Sequence, residues 1–536
     1  MRVKYRGALI RVVVAFAAFG AMERGLGQEK AALLQPPTEH LLPPTGTTLP
    51  SAQPTEGVLQ TFTYKGDGKS PADWKPFTAP AYDGALPIDL AAALQLVNSR
   101  SLDVSLAGDQ IRKASAQYDQ AKYIWLPTIT AGPQYYRHDG QYMHSEGTVT
   151  NVSLTNFYAG VGVNAIFSPA DAIYKALAAR QVVRSRQSDL VATTNDTVTL
   201  VAQAYFTAQQ ARGNVFAAQE TVREALKLVD RAKELSKQGL VLPVEENRTR
   251  AELARRKQSL DAAMEQWRNS SADLTRILRL NPTERINPIE PPHLQVTLVG
   301  LGQAVDALIP IGLRNRPELA SQQALVEAAL LRLKAEKIRP LIPSVVLTAP
   351  NPTNSTVGVF GGGNTAMGNY GLRTDFNVQV VWTFENLGLT NLSKIRERNV
   401  DQRMAILQMF KMQDQVAAEI VQAYAQARSA ESRMREAESG LKDALESMEK
   451  NLEGMKQTRL AGNLIILVIR PQEAVAAVQS LAGAYGDYYG AIADYNRAQF
   501  LLFRALGFPS QIVTGNEVCL GAPIVVEPDR HFLNPR

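Results

Sequence analysis

From Leu86 to Gly507 the apolar positions fall into long runs of helical period, interrupted twice by shorter runs that alternate residue by residue. The first helical run covers Leu86 to Tyr123, with a break around Ser99–Ser101, and Pro127 stops it. Two strands are predicted next, at Thr128–Arg137 and Phe157–Phe167, around a polar loop that holds His138 and His144. In the second strand Phe157, Ala159, Val161, Val163, Ala165 and Phe167 alternate with Tyr158, Gly160, Gly162, Asn164 and Ile166, a period of two. Ser168-Pro169 then opens a helix, because proline is favoured at the first helical position. This helix reaches about Lys237. Val201, Ala204, Ala208, Ala211, Val215, Ala218, Val222, Ala225, Val229 and Ala232 keep a three-four spacing along it, the stripe of a coiled coil with closely approaching partners. Gly239 ends it, and Val244–Leu280 forms a return helix closed by Asn281-Pro282.

The same order then recurs. Leu301–Ile338 repeats the first helical run, with Arg316-Pro317-Glu318-Leu319 starting the helix proper, and Pro343 falls where Pro127 does. Strands are predicted near Ser344–Thr348 and Arg373–Glu385, separated by a loop rich in Gly and Asn. In the second of these Phe376, Val378, Val380, Trp382 and Phe384 share one face. A long helix follows from about Asn391 to Leu460, striped by Val416, Ile420, Ala423, Ala427, Ala430, Met434, Ala437, Leu441, Ala444 and Met448. Gly462 is predicted to end it, before a return helix from about Gln472 to Leu506. Each long helix would measure about 100 Å at about 1.5 Å per residue, and the two shorter helices of each half, laid end to end, would match it. The expected divisions are an export signal at 1–27, a Pro-rich leader at 28–84, a first repeat at 85–290, a second at 291–507, and a tail at 508–536.

The export signal rests on Arg2, Lys4, Arg6 and Arg11 before the short apolar run Val12–Met22, with small residues at Gly20-Ala21, Gly25 and Gly27. Composition adds little. The 536 residues are 45% hydrophobic and 20% charged, which excludes wholesale disorder. The net charge of +6 is spread along helices instead of clustered, which argues against a nucleic-acid partner. The one cysteine, Cys519, excludes an intrachain disulfide and a cysteine-based metal site.

Four strands mounted on very long helices do not make a globular domain. One apolar and one polar face suit a barrel wall between lipid and water. With an export signal and no later apolar run near 18 residues, a closed barrel is the structure left to span a membrane. Four strands cannot close one alone, so several protomers must contribute, and three would give twelve.

Over roughly Leu86 to Gly507 the chain resembles the TolC family of outer-membrane efflux proteins. The resemblance lies in the repeated order and in Ala92-Ala-Leu-Gln-Leu-Val-Asn98, Ile124-Trp-Leu-Pro-Thr-Ile129, Arg316-Pro-Glu-Leu319, the reversals at Gly239 and Gly462, and Ala505-Leu-Gly507. It implies a mainly α protein with a small β part: a trimeric, twelve-stranded outer-membrane β-barrel continued by an α-helical coiled-coil barrel in the periplasm. It also implies a periplasmic adaptor and an inner-membrane transporter as partners, outer-membrane lipid around the barrel, and passive export without chemistry or cofactor. Carried onto this sequence, the adaptor-docking tips are Gln238, Gly239, Leu240, Ala461, Gly462 and Asn463. The periplasmic gate falls on Leu464, Leu467, Val468, Arg470 and Pro471, an apolar segment where family members often carry rings of aspartate. Phe157, Phe167, Phe376, Trp382 and Phe384 are the expected lipid-facing residues. The reading weighed against this one is an exported periplasmic coiled-coil scaffold without a channel.

Other chemistry is weakly indicated. His138, His144 and Glu146 lie in the predicted loop, with no regular element to fix them as metal ligands. Gly361-Gly-Gly-Asn-Thr-Ala-Met-Gly368 lacks the Lys-Ser/Thr of a phosphate loop. No nucleophile–base or carboxylate pair has convincing context, and no enzyme is expected.

Overall fold

The computed structural model describes residues 85–348, 356–363, 368–461 and 464–508. The expected export signal and leader, the tail from 509 onward, and both Gly462 and Asn463 lie outside these residues. The first half runs β1 (Ala85–Ile88), α1 (Leu90–Arg100), α2 (Leu102–Tyr123), β2 (Thr128–Met143), β3 (Val149–Phe167), α3 (Pro169–Lys237) and α4 (Pro243–Leu278). The second runs β4 (Arg285–Pro288), α5 (Val305–Asn315), α6 (Pro317–Ile338), β5 (Ser344–Thr348), β6 (Val357–Gly363), β7 (Gly368–Thr374) and β8 (Asn377–Val381). After a short 3-10 turn at Glu385–Gly388 it continues with α7 (Leu389–Gly454), β9 (Thr458–Ala461), β10 (Leu464–Leu467) and α8 (Pro471–Ala505).

The long helices α3 and α7 have 69 and 66 residues, hence lengths of about 100 Å. Helix α3 packs along α2 and α4, and also along α6 and α8, while α7 packs along α6 and α8. The helices thus form four columns in the order α2/α4, α3, α6/α8, α7. The sheet has the same order. Strand β3 pairs antiparallel with β2 on one side and with both β5 and β6 on the other, while β5 pairs with β8 and β6 with β7. Segments β5 and β6 therefore occupy one strand position and β7 and β8 the next, so four strand positions sit on the ends of four helix columns.

The predicted stripes form the seams between columns. On α7 nine of its ten residues, Val416, Ile420, Ala423, Ala427, Ala430, Met434, Leu441, Ala444 and Met448, are buried. On α3 Val201, Ala208, Ala211, Val215, Ala218, Ala225 and Ala232 are buried, and Leu228 and Leu235 join them. Small residues let the neighbours in. A Cβ at Gly213 would stand 2.8 Å from Cγ of Tyr489 on α8, so the glycine makes room for that ring. The largest core lies where the helix columns are interrupted, around Tyr205, Phe206, Leu94, Ile286, Ile420 and Phe500. Fully burying side chains such as Phe206 contributes about 1.5–3 kcal/mol each.

Three predicted features are corrected. The first pair of strands is longer than expected: His138 lies within β2 opposite Leu154, and the turn between β2 and β3 spans only 144–148. Polar side chains do not interrupt a ladder held by backbone bonds, and a polar stretch is easily read as a loop. The Gly/Asn-rich segment of the second half likewise forms β6 and β7, whereas the predicted strand at Arg373–Glu385 breaks between Thr374 and Asn377 and ends at Val381. Finally, α7 stops at Gly454, not near Gly462, and Leu464–Leu467 is a strand paired with Thr458–Ala461 instead of a helix start. The run Leu464-Ile-Ile-Leu-Val-Ile469 is rich in β-branched residues that suit a pleated strand.

Candidate functional site

The sheet sorts most of its apolar residues onto one face, while Tyr158, Ile166 and Phe360 lie on the other. Register places Ile129 opposite Val163, Tyr135 opposite Phe157, Val161 opposite Val357 and Val359 opposite Leu372, all on one face. Further along the same face Phe167 meets Val345 and Val345 meets Val380. The other face carries Thr130 opposite Gly162, Gly132 opposite Gly160, Gly160 opposite Gly358, and Gly358 opposite Arg373. Close packing contributes to the glycine content, since a Cβ at Gly358 would lie 2.6 Å from the Ala159 carbonyl oxygen. Phe157 to Phe167 extends about 33 Å along β3, or about 25 Å in height at a usual barrel tilt, the thickness of a lipid-facing band. Phe376, Trp382 and Phe384 are 70%, 54% and 60% exposed, and Phe157 and Phe167 are half-buried. Among the described residues no helix is long and apolar enough to cross a membrane.

Beyond the apolar band the strands turn polar. Arg137 pairs with Asp139 at 2.7 Å, Ser153 donates to Asp139 at 2.5 Å, and His144 Nε2 sits 2.8 Å from Thr150 Oγ1. His138 and His144 each meet the Tyr142 ring edge-on. No group of three or more metal-ligating side chains occurs among the described residues.

Two buried polar clusters lock the middle of the helical part, and neither was read from the sequence. In the first, Glu290 accepts the Leu90 N–H at the start of α1 at 2.8 Å and the Tyr205 hydroxyl from α3. Gln209 and Arg212 of α3 donate to the carbonyls of Pro291 and Pro288. Desolvation pushes the Glu290 carboxyl up to about 7, against the pull of the Leu90 amide. In the second, the Arg316 side chain is 2% exposed and bonds Glu419 at 2.5 Å and Glu318 at 3.2 Å. Arg504 bonds the same Glu419 at 2.6 Å, Asp196 at 2.6 Å and Glu318 at 3.3 Å, tying α3, α6, α7 and α8 together. Burial alone would raise the Glu419 carboxyl, but its bonds from Gln415, Arg316 and Arg504 hold it below the usual carboxylate range. The signal for this cluster was an arginine directly before a helix-opening Pro-Glu, within a motif noted for its order alone.

The two reversals at the far end of the columns differ. After α3, Gly239 adopts φ 71°, its N–H bonds the Ser236 carbonyl at 3.0 Å, and the Leu240 N–H bonds the Leu235 carbonyl at 3.0 Å. This is a helix stop closed by one left-handed glycine. Gln238 and Gly239 are exposed and Leu240 is half-buried. After α7 the chain forms the β9–β10 hairpin, with Ala461 opposite Leu464 and Thr458 opposite Leu467. The Val468 N–H extends the ladder to the Gln457 carbonyl at 3.1 Å. Its base is clamped: Arg231 Nη2 reaches the Met455 carbonyl at 3.4 Å, and Ile469 packs so close to Gly454 that a Cβ there would meet it inside contact distance. Val468 is half-exposed, Arg470 is exposed, and Pro471 is buried at the first turn of α8.

Residues 93–278 match the family model described as outer membrane efflux protein. Over residues 93–278 by sequence pattern, and over most of its length by fold, the chain is similar to the outer membrane efflux proteins. None of the curated proteins matches it. The efflux-protein fold recurs in the outer membrane protein VceC of Vibrio cholerae, with 15% identity and a TM-score of 0.61 over 78% of this chain and 96% of that one. It recurs in the CmeC outer membrane channel of Campylobacter jejuni, at 15% identity and a TM-score of 0.60 over 78% and 85% of the two chains. The MtrE outer membrane channel of Neisseria gonorrhoeae, solved in its open state, gives 15% identity and a TM-score of 0.58 over 78% and 88%.

Proposed function

We propose that this protein is the outer-membrane channel of a tripartite efflux or type I secretion system. It would serve as a passive exit duct for substrates handed on by an inner-membrane transporter through a periplasmic adaptor. The observation that carries this reading is the sheet with one apolar and one glycine-and-polar face, set on the ends of four helix columns in matching order. An open four-position sheet leaves both edges unpaired, and closing it into a barrel consumes those edges. Three copies would supply twelve strands, with Phe157, Phe167, Phe376, Trp382 and Phe384 toward lipid and the glycine-rich face toward water. A coiled-coil scaffold has no use for such a sheet.

In this arrangement the two reversals form the periplasmic end of the tube. Gln238, Gly239 and Leu240 with Ala461, Gly462 and Asn463 are the adaptor-docking tips, and Leu464, Leu467, Val468, Arg470 and Pro471 form the closure. With an apolar run in place of aspartates, closure works by excluding water, not by binding cations. The duct reading is tested by single-channel conductance of the full chain in planar bilayers, together with heat-resistant trimers in the outer-membrane fraction. A soluble periplasmic protein without conductance would overturn it. For the closure, conductance is expected to be indifferent to micromolar divalent cations, and block at that level would exclude a water-excluding gate.

A further inference from the structure

The turn that joins the barrel to α7 contains three consecutive residues in the left-handed region: Asn386 at φ 49°, Leu387 at φ 59° and Gly388 at φ 89°. Asparagine and glycine tolerate this conformation, but leucine is disfavoured there because its Cβ crowds the following carbonyl. The turn is held from several directions. The Asn386 amide donates to Thr390 Oγ1 at 2.7 Å, the Glu385 N–H bonds Asn391 Oδ1 at 3.0 Å, and Lys394 pairs with Glu385 at 2.6 Å. Leu387 is nevertheless 96% exposed, and none of the described residues covers it. Its neighbours Phe384 and Leu389 are 60% and 67% exposed. Strain at a built turn, held only to expose a leucine, points to a partner outside the chain.

We propose that this turn is a lipid anchor that seats Leu387 in the acyl region of the periplasmic leaflet and fixes the depth of the barrel. The inference rests on the reading of the apolar sheet face as lipid-facing. Continuity favours lipid over a second copy: Phe376, Val378, Val380, Trp382 and Phe384, before, along and after β8, form a row of exposed apolar residues that leads to the turn. Cations follow on α7: Lys394 and Arg398 already pair with Glu385 and Asp401, while Arg396 between them is exposed and suits a phosphate at the boundary of a leaflet. The order is apolar wall, leucine, then cations, which is the order of a membrane interface met from its interior.

The test uses the full chain with Cys519→Ser, carrying Leu387→Cys, Phe376→Cys or Leu242→Cys. Each variant is labelled with an environment-sensitive fluorophore and reconstituted in phosphatidylethanolamine–phosphatidylglycerol vesicles containing lipids spin-labelled on the acyl chain. Heat-resistant oligomers on gels check that each variant has folded, and Leu389→Cys replaces any Leu387→Cys preparation that fails. The labels at 387 and 376 are expected to be quenched at least twofold, and the label at 242, beside the distant turn, to be unchanged. Quenching at 376 without quenching at 387 overturns the anchor and leaves the barrel reading intact. Efficient crosslinking of unlabelled Leu387→Cys between copies likewise overturns it in favour of a subunit contact. No quenching at 376 overturns the lipid-facing wall, and the anchor with it.

Discussion

The two halves of this chain perform the same architectural tasks with different chemistry. At the first interruption of the helix columns, Ser101 caps α2 with its hydroxyl, accepting the Val104 N–H at 3.3 Å, on a partly buried surface. At the matching place in the second half, Arg316 opens α6 inside an ionic cluster of two arginines and three carboxylates. The first long helix stops on a single left-handed glycine and the second on a clamped hairpin. The first pair of strands is continuous, while each strand position of the second half is built from two segments. The two halves thus share column and strand order, the features fixed by burial and backbone pairing. The junctions differ, because a junction has only to satisfy its local polar groups.

The largest effect should come from the interruptions. Arg316→Met leaves Arg504 as the remaining arginine partner of Glu419 and Glu318 and is expected to cost about 2–3 kcal/mol, against about 1 kcal/mol for Ser101→Ala. Unfolding midpoints of the two variants in detergent compare them directly, and equal losses would break the contrast. The reversals come next. Gly454→Val drives a branched side chain into Ile469 and should cost about 1–3 kcal/mol by overpacking. Gly239 has open space around it, so Gly239→Ala should lose only about 1–2 kcal/mol, from its left-handed backbone. Gly239→Asn should lose still less, because asparagine tolerates that conformation.

The last contrast is a difference in pH slope. Glu290 is raised to about 7 in the folded chain, so its contribution is full below the unfolded value of 4.5 and is lost as pH rises through about 7. Glu419 is lowered, so its contribution is present above 4.5 and is lost as pH falls through its folded value. Thermal stability followed from about pH 5 to about pH 8 should therefore carry a downward component that Glu290→Gln removes and Glu419→Gln leaves in place. A profile unaltered by Glu290→Gln would contradict this assignment.

Much of this architecture was legible in the sequence, and the exceptions have physical causes. The stripes on α3 and α7 could be read because burial along a seam demands a regular apolar period. The apolar face of β3 could be read because a pleat alternates. The hairpin after Gly454 was misjudged because an apolar run such as Leu464–Ile469 has no polar partner to reveal its period. Strands β6 and β7 were hidden by glycines, which carry no side-chain pattern although their backbones pair on either side of a bulge at Gly361. The Glu290 cluster joins residues as far apart as Leu90 and Tyr205, and no local spacing announces such a meeting. Of the candidate site, the structure places the row from Phe376 to Phe384 at the surface and Gly239 at a turn, while the fine geometry around Gly462 lies outside the described residues.

Strand β3 is bonded to β2 on one side and to β5 and β6 on the other, and this has a consequence in time. Its hairpin with β2 closes across a short turn and can form as soon as both strands exist. Its second edge must wait until α3, α4, α5 and α6 have been synthesised, roughly 180 residues later, and long-range pairing of this kind is slow. Throughout that interval the nascent protein carries a long, apolar, unsatisfied strand edge, the kind of surface that seeds aggregation. Completion of the sheet at β3 therefore waits on the second half, and a chain cut after α4 would keep this edge open.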